Sequence, residues 1–128
     1  MATPLNDYKW RELGASGLRA YPNIARKWGL TESEAAGLLG ISLSTYQYWM
    51  RYPERANLDV SHLERLSLVL GIYKYLHTLL PCEETADSWI RRVNANPLFE
   101  HRAPLDRLLS GQVADLRAVN QHLKMQFT

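Results

Sequence analysis

The residues best able to do chemistry in this chain are four histidines, one cysteine and a scatter of carboxylates. Their spacing assembles none of the familiar reactive sets. His62, His77, His101 and His122 are scattered, form no HExxH pair and have no carboxylate at metal-ligand spacing. Cys82 follows a proline at an expected helix end, where the next helix's N-terminus could partly activate a thiol. With no histidine partner assigned to it, an inert or exposed thiol is the expectation. Glu83 and Glu84 are adjacent, which sends them to different faces of a helix rather than making an acid–base pair. Gly37-Leu38-Leu39-Gly40 lacks the lysine and the preceding strand of a phosphate loop. The expectation is a protein without catalysis, metal or cofactor.

A second kind of chemistry is hydrogen bonding to the edges of bases, and the stretch TESEAAGLLGISLSTYQYWMR, Thr31 to Arg51, has the spacing for it. Thr31 precedes Glu34 by three residues, a capping-box start for a short helix. Ala36 is small where two helices must cross closely, and Leu39 is apolar toward a core. Gly40 falls where the chain reverses, Ile41 plugs the turn, and Ser42 caps a second helix. Tyr46 and Trp49 are then the inward positions of that helix. A small residue, a glycine four later, an aromatic six later and a tryptophan three after that is the spacing of a helix-turn-helix.

On that register Leu43, Ser44, Gln47, Tyr48 and Arg51 face outward. Gln47 suits an adenine edge, Arg51 guanine or phosphate, and Leu43 a thymine methyl. Ser42, Ser44 and Thr45 are candidate phosphate donors. An ordinary helical hairpin, with Tyr46 and Trp49 simply as core, uses the same spacing. The helix has one basic residue, Arg51, and Leu43 at its tip is unusual for a base reader.

The elements that must position these residues are helical almost throughout, since no run alternates apolar and polar residues between turn signals. The spacing predicts a helix over Leu18–Trp28, with Pro22 near its first turn and Gly29 ending it. Two short helices follow at Glu32–Leu39 and Leu43–Arg51. A long helix follows the loop from Pro53 to Asn57, with Ser61 as cap and Glu64 completing a capping box. It carries Leu63, Leu66, Leu70, Tyr73, Leu76 and Leu80 at steps of three or four, with Ile72, Tyr75 and Leu79 widening the stripe. Pro81 stops it. Further helices fit Glu84–Val93, Pro104–Leu109, which Gly111 ends, and Val113–Met125. The fold class expected is all-α: a helix-turn-helix bundle over 1–60, then a small helical domain over 61–128, linked by the long helix.

Composition agrees with a folded chain. It has 128 residues, 46% hydrophobic and 22% charged, which excludes a disordered polypeptide. No apolar run reaches the ~18 residues of a membrane helix. The first 30 residues mix charges with apolar side chains, so no signal peptide is expected, and one cysteine forms no internal disulfide. A cytoplasmic protein is the simplest expectation. Eleven arginines and four lysines against 13 acids leave +2, a small surplus for a nucleic-acid binder. Geometry and dimerisation would have to supply what charge does not.

From Leu70 onward the sequence resembles the C-terminal domain of the MbcA/ParS/Xre antitoxin family. The blocks that carry the resemblance are LGIYKYLHTLLP (Leu70–Pro81), ADSWIRRVNANPLF (Ala86–Phe99) and PLDRLLSGQVADLRAVNQHL (Pro104–Leu123). GLRAYPNIARKWGLTESEAAGLLG (Gly17–Gly40) is similar to the segment preceding the family's helix-turn-helix. Family positions match at Trp89, Asn96, Pro97, Leu98, Asp106, Leu109, Ser110, Gly111 and Val119.

The resemblance implies an antitoxin of a type II toxin–antitoxin pair whose partner is a RES-domain toxin, an enzyme that depletes NAD⁺. It implies a C-terminal domain that covers the toxin's active-site entrance, and an N-terminal half that binds the operator of its own operon, usually as a homodimer. Two departures stand out. The loop after Phe99, usually small residues and often glycines, reads Glu100-His101-Arg102 here, and the tail after Leu123 is short.

Candidate toxin-binding residues are Trp89, Arg92, Asn96, Leu98, Arg102, Asp106, Ser110 and Gly111. Several also have a plainer explanation: Trp89 as core, Arg92 on a solvated face, Leu98 buried in a connector, Asp106 at a helix N-terminus, Gly111 as a C-cap. Tyr73 and Leu76 are the candidate dimerisation positions, although core within one chain also explains an apolar stripe. Two other functions fit: a stand-alone helix-turn-helix transcriptional regulator with a helical dimerisation domain, and an interaction protein that no longer reads DNA.

Overall fold

The computed structural model describes residues 7–127, with side chains from 12 to 126. Residues 1–6 and Thr128, which the expected domains include, lie outside that range. Among the described residues every regular element is helical: α1 (Asp7–Lys27), α2 (Glu32–Leu39), α3 (Leu43–Arg51), α4 (Val60–Leu79), α5 (Glu83–Ser88), α6 (Pro104–Leu108) and α7 (Val113–Lys124), with short 3₁₀ turns between and after them. The chain is an all-helical protein. It divides into two compact units, with the change-over between Ser67 and Leu68. No helix among the described residues is long and apolar enough to cross a membrane.

The first unit is organised around α1. Leu18, Tyr21, Ile24, Ala25 and Trp28 recur at helical spacing and are all buried, together with Ala35, Leu38, Leu39, Tyr46, Trp49 and Leu66. The Tyr21 hydroxyl donates to the Ala35 carbonyl at 2.8 Å, which ties α1 to α2, and its ring meets Tyr46 edge-on at 6.1 Å. Burial pushes the Tyr21 hydroxyl far above its ordinary pKa, so it stays protonated and keeps donating. The helix begins at Asp7, eleven residues before the expected Leu18, so Pro22 lies in its interior and not in its first turn. The missing N–H forfeits one hydrogen bond, and the buried stripe on both sides of Pro22 holds the helix together across it.

Between α2 and α3 the local chemistry is as the spacing predicts. Thr31 Oγ1 accepts from the Glu34 N–H at 3.0 Å while Glu34 Oε1 accepts from the Thr31 N–H at 2.9 Å, a complete capping box. Gly40 has φ +73°, and the Ile41 N–H returns to the Ala36 carbonyl at 3.1 Å. Ser42 Oγ accepts from the Thr45 N–H at 3.1 Å and starts α3.

The start of α4 differs from the expectation. Ser61 lies inside the helix, and Asp59 is the cap: its Oδ1 accepts from the His62 N–H at 2.9 Å, while His62 Nδ1 accepts from the Asp59 N–H at 3.2 Å. This is the reciprocal geometry of a capping box with an imidazole in the place of glutamate. The His62 ring also packs edge-on against Trp49 at 5.2 Å.

In the second unit the remainder of α4 supplies Val69, Ile72 and Leu76 to a core completed by Ala86, Ile90, Phe99, Leu105, Leu108, Leu116, Val119 and Leu123, all buried. Leu76, an expected dimerisation position, is 1% exposed, so packing within the chain accounts for it. Tyr73 is half-buried with its ring 4.2 Å from that of His77. His77 Nε2 meets Asp87 Oδ1 at 2.7 Å, joining α4 to α5. The helix expected over Glu84–Val93 stops at Ser88 and tightens into a 3₁₀ turn, Trp89–Arg91. The Thr85 carbonyl is satisfied by the Arg92 guanidinium at 3.0 Å and the Ser88 hydroxyl at 3.4 Å, side-chain partners that let the helix end early. Arg107 spans the turn between α6 and α7: Nε donates to Asp115 Oδ1 at 2.7 Å and Nη1 to the Leu98 carbonyl at 2.8 Å.

Candidate functional site

The α3 face is built by one division of labour along nine residues. Tyr46 and Trp49 point into the first unit's core, 4% and 6% exposed, which leaves the opposite side of the helix outside. On that side stand Leu43, Ser44, Gln47, Tyr48 and Arg51, all exposed, with Ser42 at the tip and Thr45 half-buried. Beyond accepting as a cap, Ser42 Oγ donates to Thr45 Oγ1 at 2.9 Å and lies 3.3 Å from Ser44 Oγ, whose hydroxyl can donate to it. These three hydroxyls therefore form one small polar tip.

Three further residues belong to this face and escaped the sequence reading. Glu32, from the first turn of α2, accepts at Oε1 from Gln47 Nε2 at 3.0 Å. Tyr52, one residue beyond α3, tilts against Tyr48 with centroids 5.3 Å apart. Two guanidinium groups lie over the Tyr52 ring, Arg51 at 5.8 Å and Arg55 at 4.7 Å. Arg55, on the 3₁₀ turn Pro53–Arg55, is exposed and adds a second cation beside Arg51. The Tyr46 hydroxyl is raised above its ordinary pKa, first by burial and then by the negative charge of Glu32.

In the second unit the expected residues divide between two hollows. One, of about 310 Å³, is lined by Leu98, Phe99, Glu100, Arg102, Ala103, Asp106, Arg107 and Asp115. It brings Leu98, Arg102 and Asp106 together. The other, of about 230 Å³, is lined by Leu76, Leu79, Leu80, Trp89, Asn94, His122, Leu123 and Gln126. Trp89 is half-buried there, edge-on to Phe99 at 5.8 Å and stacked toward His122 at 6.5 Å.

The remaining expected residues shape the loops around these hollows. Asn96 Oδ1 accepts from the Leu98 N–H at 2.9 Å and starts the turn Pro97–Phe99. Arg92 is exposed, with its guanidinium donating to the Thr85 carbonyl. Ser110 donates to Asp115 Oδ2 and accepts from the Gln112 N–H at 3.1 Å, and Gly111 has φ +86°, so these two form the turn into α7. The Ser110 hydroxyl, followed by burial working the other way and then Arg107, leaves the Asp115 carboxyl below its ordinary range.

The loop that departs from the resemblance, Glu100-His101-Arg102, has a distinctive backbone. Glu100 and His101 have φ of +49° and +63°, consecutive left-handed positions that glycine adopts more easily. The Arg102 carbonyl accepts from the Asn94 N–H at 3.0 Å and closes the loop.

The groups weighed for catalysis are dispersed. His62 is the reciprocal partner of the Asp59 cap, His77 pairs with Asp87, His122 packs against Trp89 and Phe99, and His101 is exposed on its loop. No group of three metal-ligating side chains occurs among the described residues. Cys82 is exposed at the start of α5, where the backbone N–H of Thr85 is the main influence lowering its thiol pKa.

Comparison with known proteins bears on the first unit most directly. Residues 11–71 match the model of the antitoxin Xre-like helix-turn-helix domain, a span that takes in α2, the Gly40 turn and α3. The chain is also similar, over 110 residues at 38% identity, to the uncharacterized protein y4oB of Sinorhizobium fredii strain NGR234. That alignment covers 85% of this chain and 82% of the relative, so the likeness extends through most of the second unit as well. An exposed α3 face, the Thr31–Glu34 capping box, Gly40 turn and Ser42 cap that hold it, and these two matches lead to one conclusion: the chain belongs to the antitoxin Xre-like helix-turn-helix family.

Proposed function

We propose that this protein is a non-enzymatic antitoxin that neutralises a RES-domain, NAD⁺-degrading toxin by blocking its active site and represses its own operon by binding operator DNA as a homodimer. The observation that carries the reading is α3: its inward residues are core, and its outward residues are exposed beside two arginines, within a domain matched as antitoxin Xre-like. In this reading Ser42, Ser44, Thr45, Tyr48 and Arg51 contact phosphates and Gln47 and Leu43 contact bases. A single short helix buries too little surface to specify a site, so paired half-sites are required. Tyr73, the more open of the two expected interface residues, is the position to test for pairing.

The toxin-binding assignment rests on the resemblance from Leu70 onward. Leu98, Arg102 and Asp106 share one hollow there and Trp89 lines another, while Arg92, Asn96, Ser110 and Gly111 are assigned to the contact by the resemblance alone. The domain division proposed is DNA binding over 1–60 and neutralisation over 61–128.

The test is co-expression with the product of the neighbouring gene. The complex is pulled down, and cellular NAD⁺ is followed with and without residues 70–128. Co-purification with NAD⁺ preserved only when that segment is present supports the antitoxin. Absence of both, with operator binding retained, leaves a stand-alone regulator whose second half serves assembly.

A further inference from the structure

We infer that Glu32 is a positioning residue that sets the base preference of Gln47, directing it to adenine and against guanine; this rests on the DNA-binding reading above. Gln47 is exposed on the outer side of α3, and its side-chain partner among the described residues is Glu32, fifteen residues earlier on α2. A carboxylate can only accept hydrogen bonds, whereas a carboxamide has an oxygen acceptor on one side and an N–H₂ donor on the other. The 3.0 Å contact to Glu32 Oε1 therefore decides which way the amide faces: Nε2 must lie toward α2. One N–H is consumed, and what Gln47 still offers is one N–H and the Oε1 acceptor.

That remaining pair has a defined complement in the major groove. Adenine presents an acceptor, N7, beside a donor, the N6 amino group, and takes both; guanine presents two acceptors, N7 and O6. A free glutamine could turn both N–H groups toward guanine. Held by Glu32, it has only one left. The negative charge of Glu32 also disfavours an acceptor-rich edge beside it. The acid on α2 thus supplies selectivity that the recognition helix does not contain.

The experiment selects binding sites from duplexes with a randomised centre, using wild type, Gln47→Ala, Glu32→Ala and Glu32→Gln. Wild type is expected to enrich adenine over guanine about tenfold at one position per half-site, the order a bidentate contact provides. Gln47→Ala loses that preference. Glu32→Ala narrows it to within about twofold at that position alone, while general affinity rises because a negative charge near phosphate is gone. Glu32→Gln is the sharper arm, since it keeps size and hydrogen bonding but can face Gln47 with either end. It too narrows the preference, which a residue needed only for packing would not do. Both variants sit on the exposed start of α2, and a thermal melt checks that each is folded. Unchanged adenine preference in both Glu32 variants, or retained preference in Gln47→Ala, overturns the inference and leaves DNA binding standing. No enrichment and no salt-dependent shift by wild type overturns the DNA-binding reading, and the inference with it.

Discussion

Asn120 of α7 occupies the space that a side chain on Gly71 of α4 would need: a Cβ there would stand 2.7 Å from Asn120 Nδ2. From that position the amide donates to the Leu68 carbonyl at 3.3 Å, so the missing side chain admits a hydrogen bond between helices. Glycine inside a helix normally costs about 1 kcal/mol relative to alanine. At this position the cost is offset by the contact it permits.

The consequence is a coupling between two substitutions. Asn120→Ala alone is expected to lose about 1 kcal/mol, the net worth of one hydrogen bond. Gly71→Ala gains helix propensity but displaces Asn120, so it is close to neutral or destabilising. In the Asn120→Ala background the same change stabilises by about 1 kcal/mol, because only the propensity gain survives. Urea unfolding of the four proteins measures the cycle. Additive effects would show that the two residues do not interact.

Gly40 faces a harder constraint. Its φ of +73° is left-handed, and an added Cβ would lie 2.9 Å from Arg65 Nε and 3.1 Å from Arg65 Cζ. Arg65 in turn donates to the Leu38 carbonyl at 3.4 Å, beside the turn. Gly40→Ala is expected to lose about 1–2 kcal/mol from backbone conformation, with the displaced guanidinium adding to it. A lower urea midpoint at unchanged slope is the signature, and an unchanged midpoint would mean the turn relaxes at no cost.

How much of this was legible depended on distance along the chain. Thr31, Glu34, Gly40 and Ser42 act within one or two turns of themselves, so α2 and α3 fall where local chemistry predicts. The inward–outward division of α3 follows from the same periodicity. The start of α1 was not legible, because Gly14 and Gly17 weaken the helical signal. What calls for a small residue at Gly14 is a neighbour far along the chain: a Cβ there would lie 3.2 Å from Leu58. Asp59 lost to Ser61 as the expected cap because an imidazole at the third position is a rarer partner than Glu64. The contacts that complete the two candidate sites, Glu32 with Gln47 and Arg107 with Asp115, join residues on different helices. Only the fold brings them together.

The Arg107–Asp115–Ser110 group predicts an acid sensitivity of the second unit. The folded-state pKa of Asp115 lies below its ordinary value, chiefly through the Ser110 hydroxyl and secondarily through Arg107. A depressed carboxylate stabilises the fold fully at neutral pH. That contribution falls as pH drops through the carboxylate range and is absent below the folded-state value. Asp115→Asn should cost about 1–2 kcal/mol at pH 7, the scale of hydrogen bonds to a charged group. It should cost progressively less as the solution is acidified. Melting curves of both proteins between pH 7 and strong acid test this, and a pH-independent difference would remove ionisation from the account.

The toxin-facing assignment can be separated from packing by comparing Trp89 with Arg102. Trp89 is half-buried against Phe99 and His122, so Trp89→Ala should cost about 3 kcal/mol, the low end for a large aromatic. Lost toxin binding in that variant would carry no information about contact. Arg102 is exposed at the edge of the hollow it lines with Leu98 and Asp106, and its ties to the fold are backbone ones: its carbonyl accepts from Asn94 and its N–H donates to the Phe99 carbonyl. Arg102→Glu leaves that carbonyl in place and should change stability by no more than about 0.5 kcal/mol. If this loop meets the toxin, the same charge reversal weakens the complex at least about tenfold, with a normal melting temperature. Affinity measured by titration of purified toxin against wild type and Arg102→Glu decides it. Unchanged affinity would place the contact elsewhere on the second unit and leave Glu100 and His101 as strained loop residues with no partner to explain them.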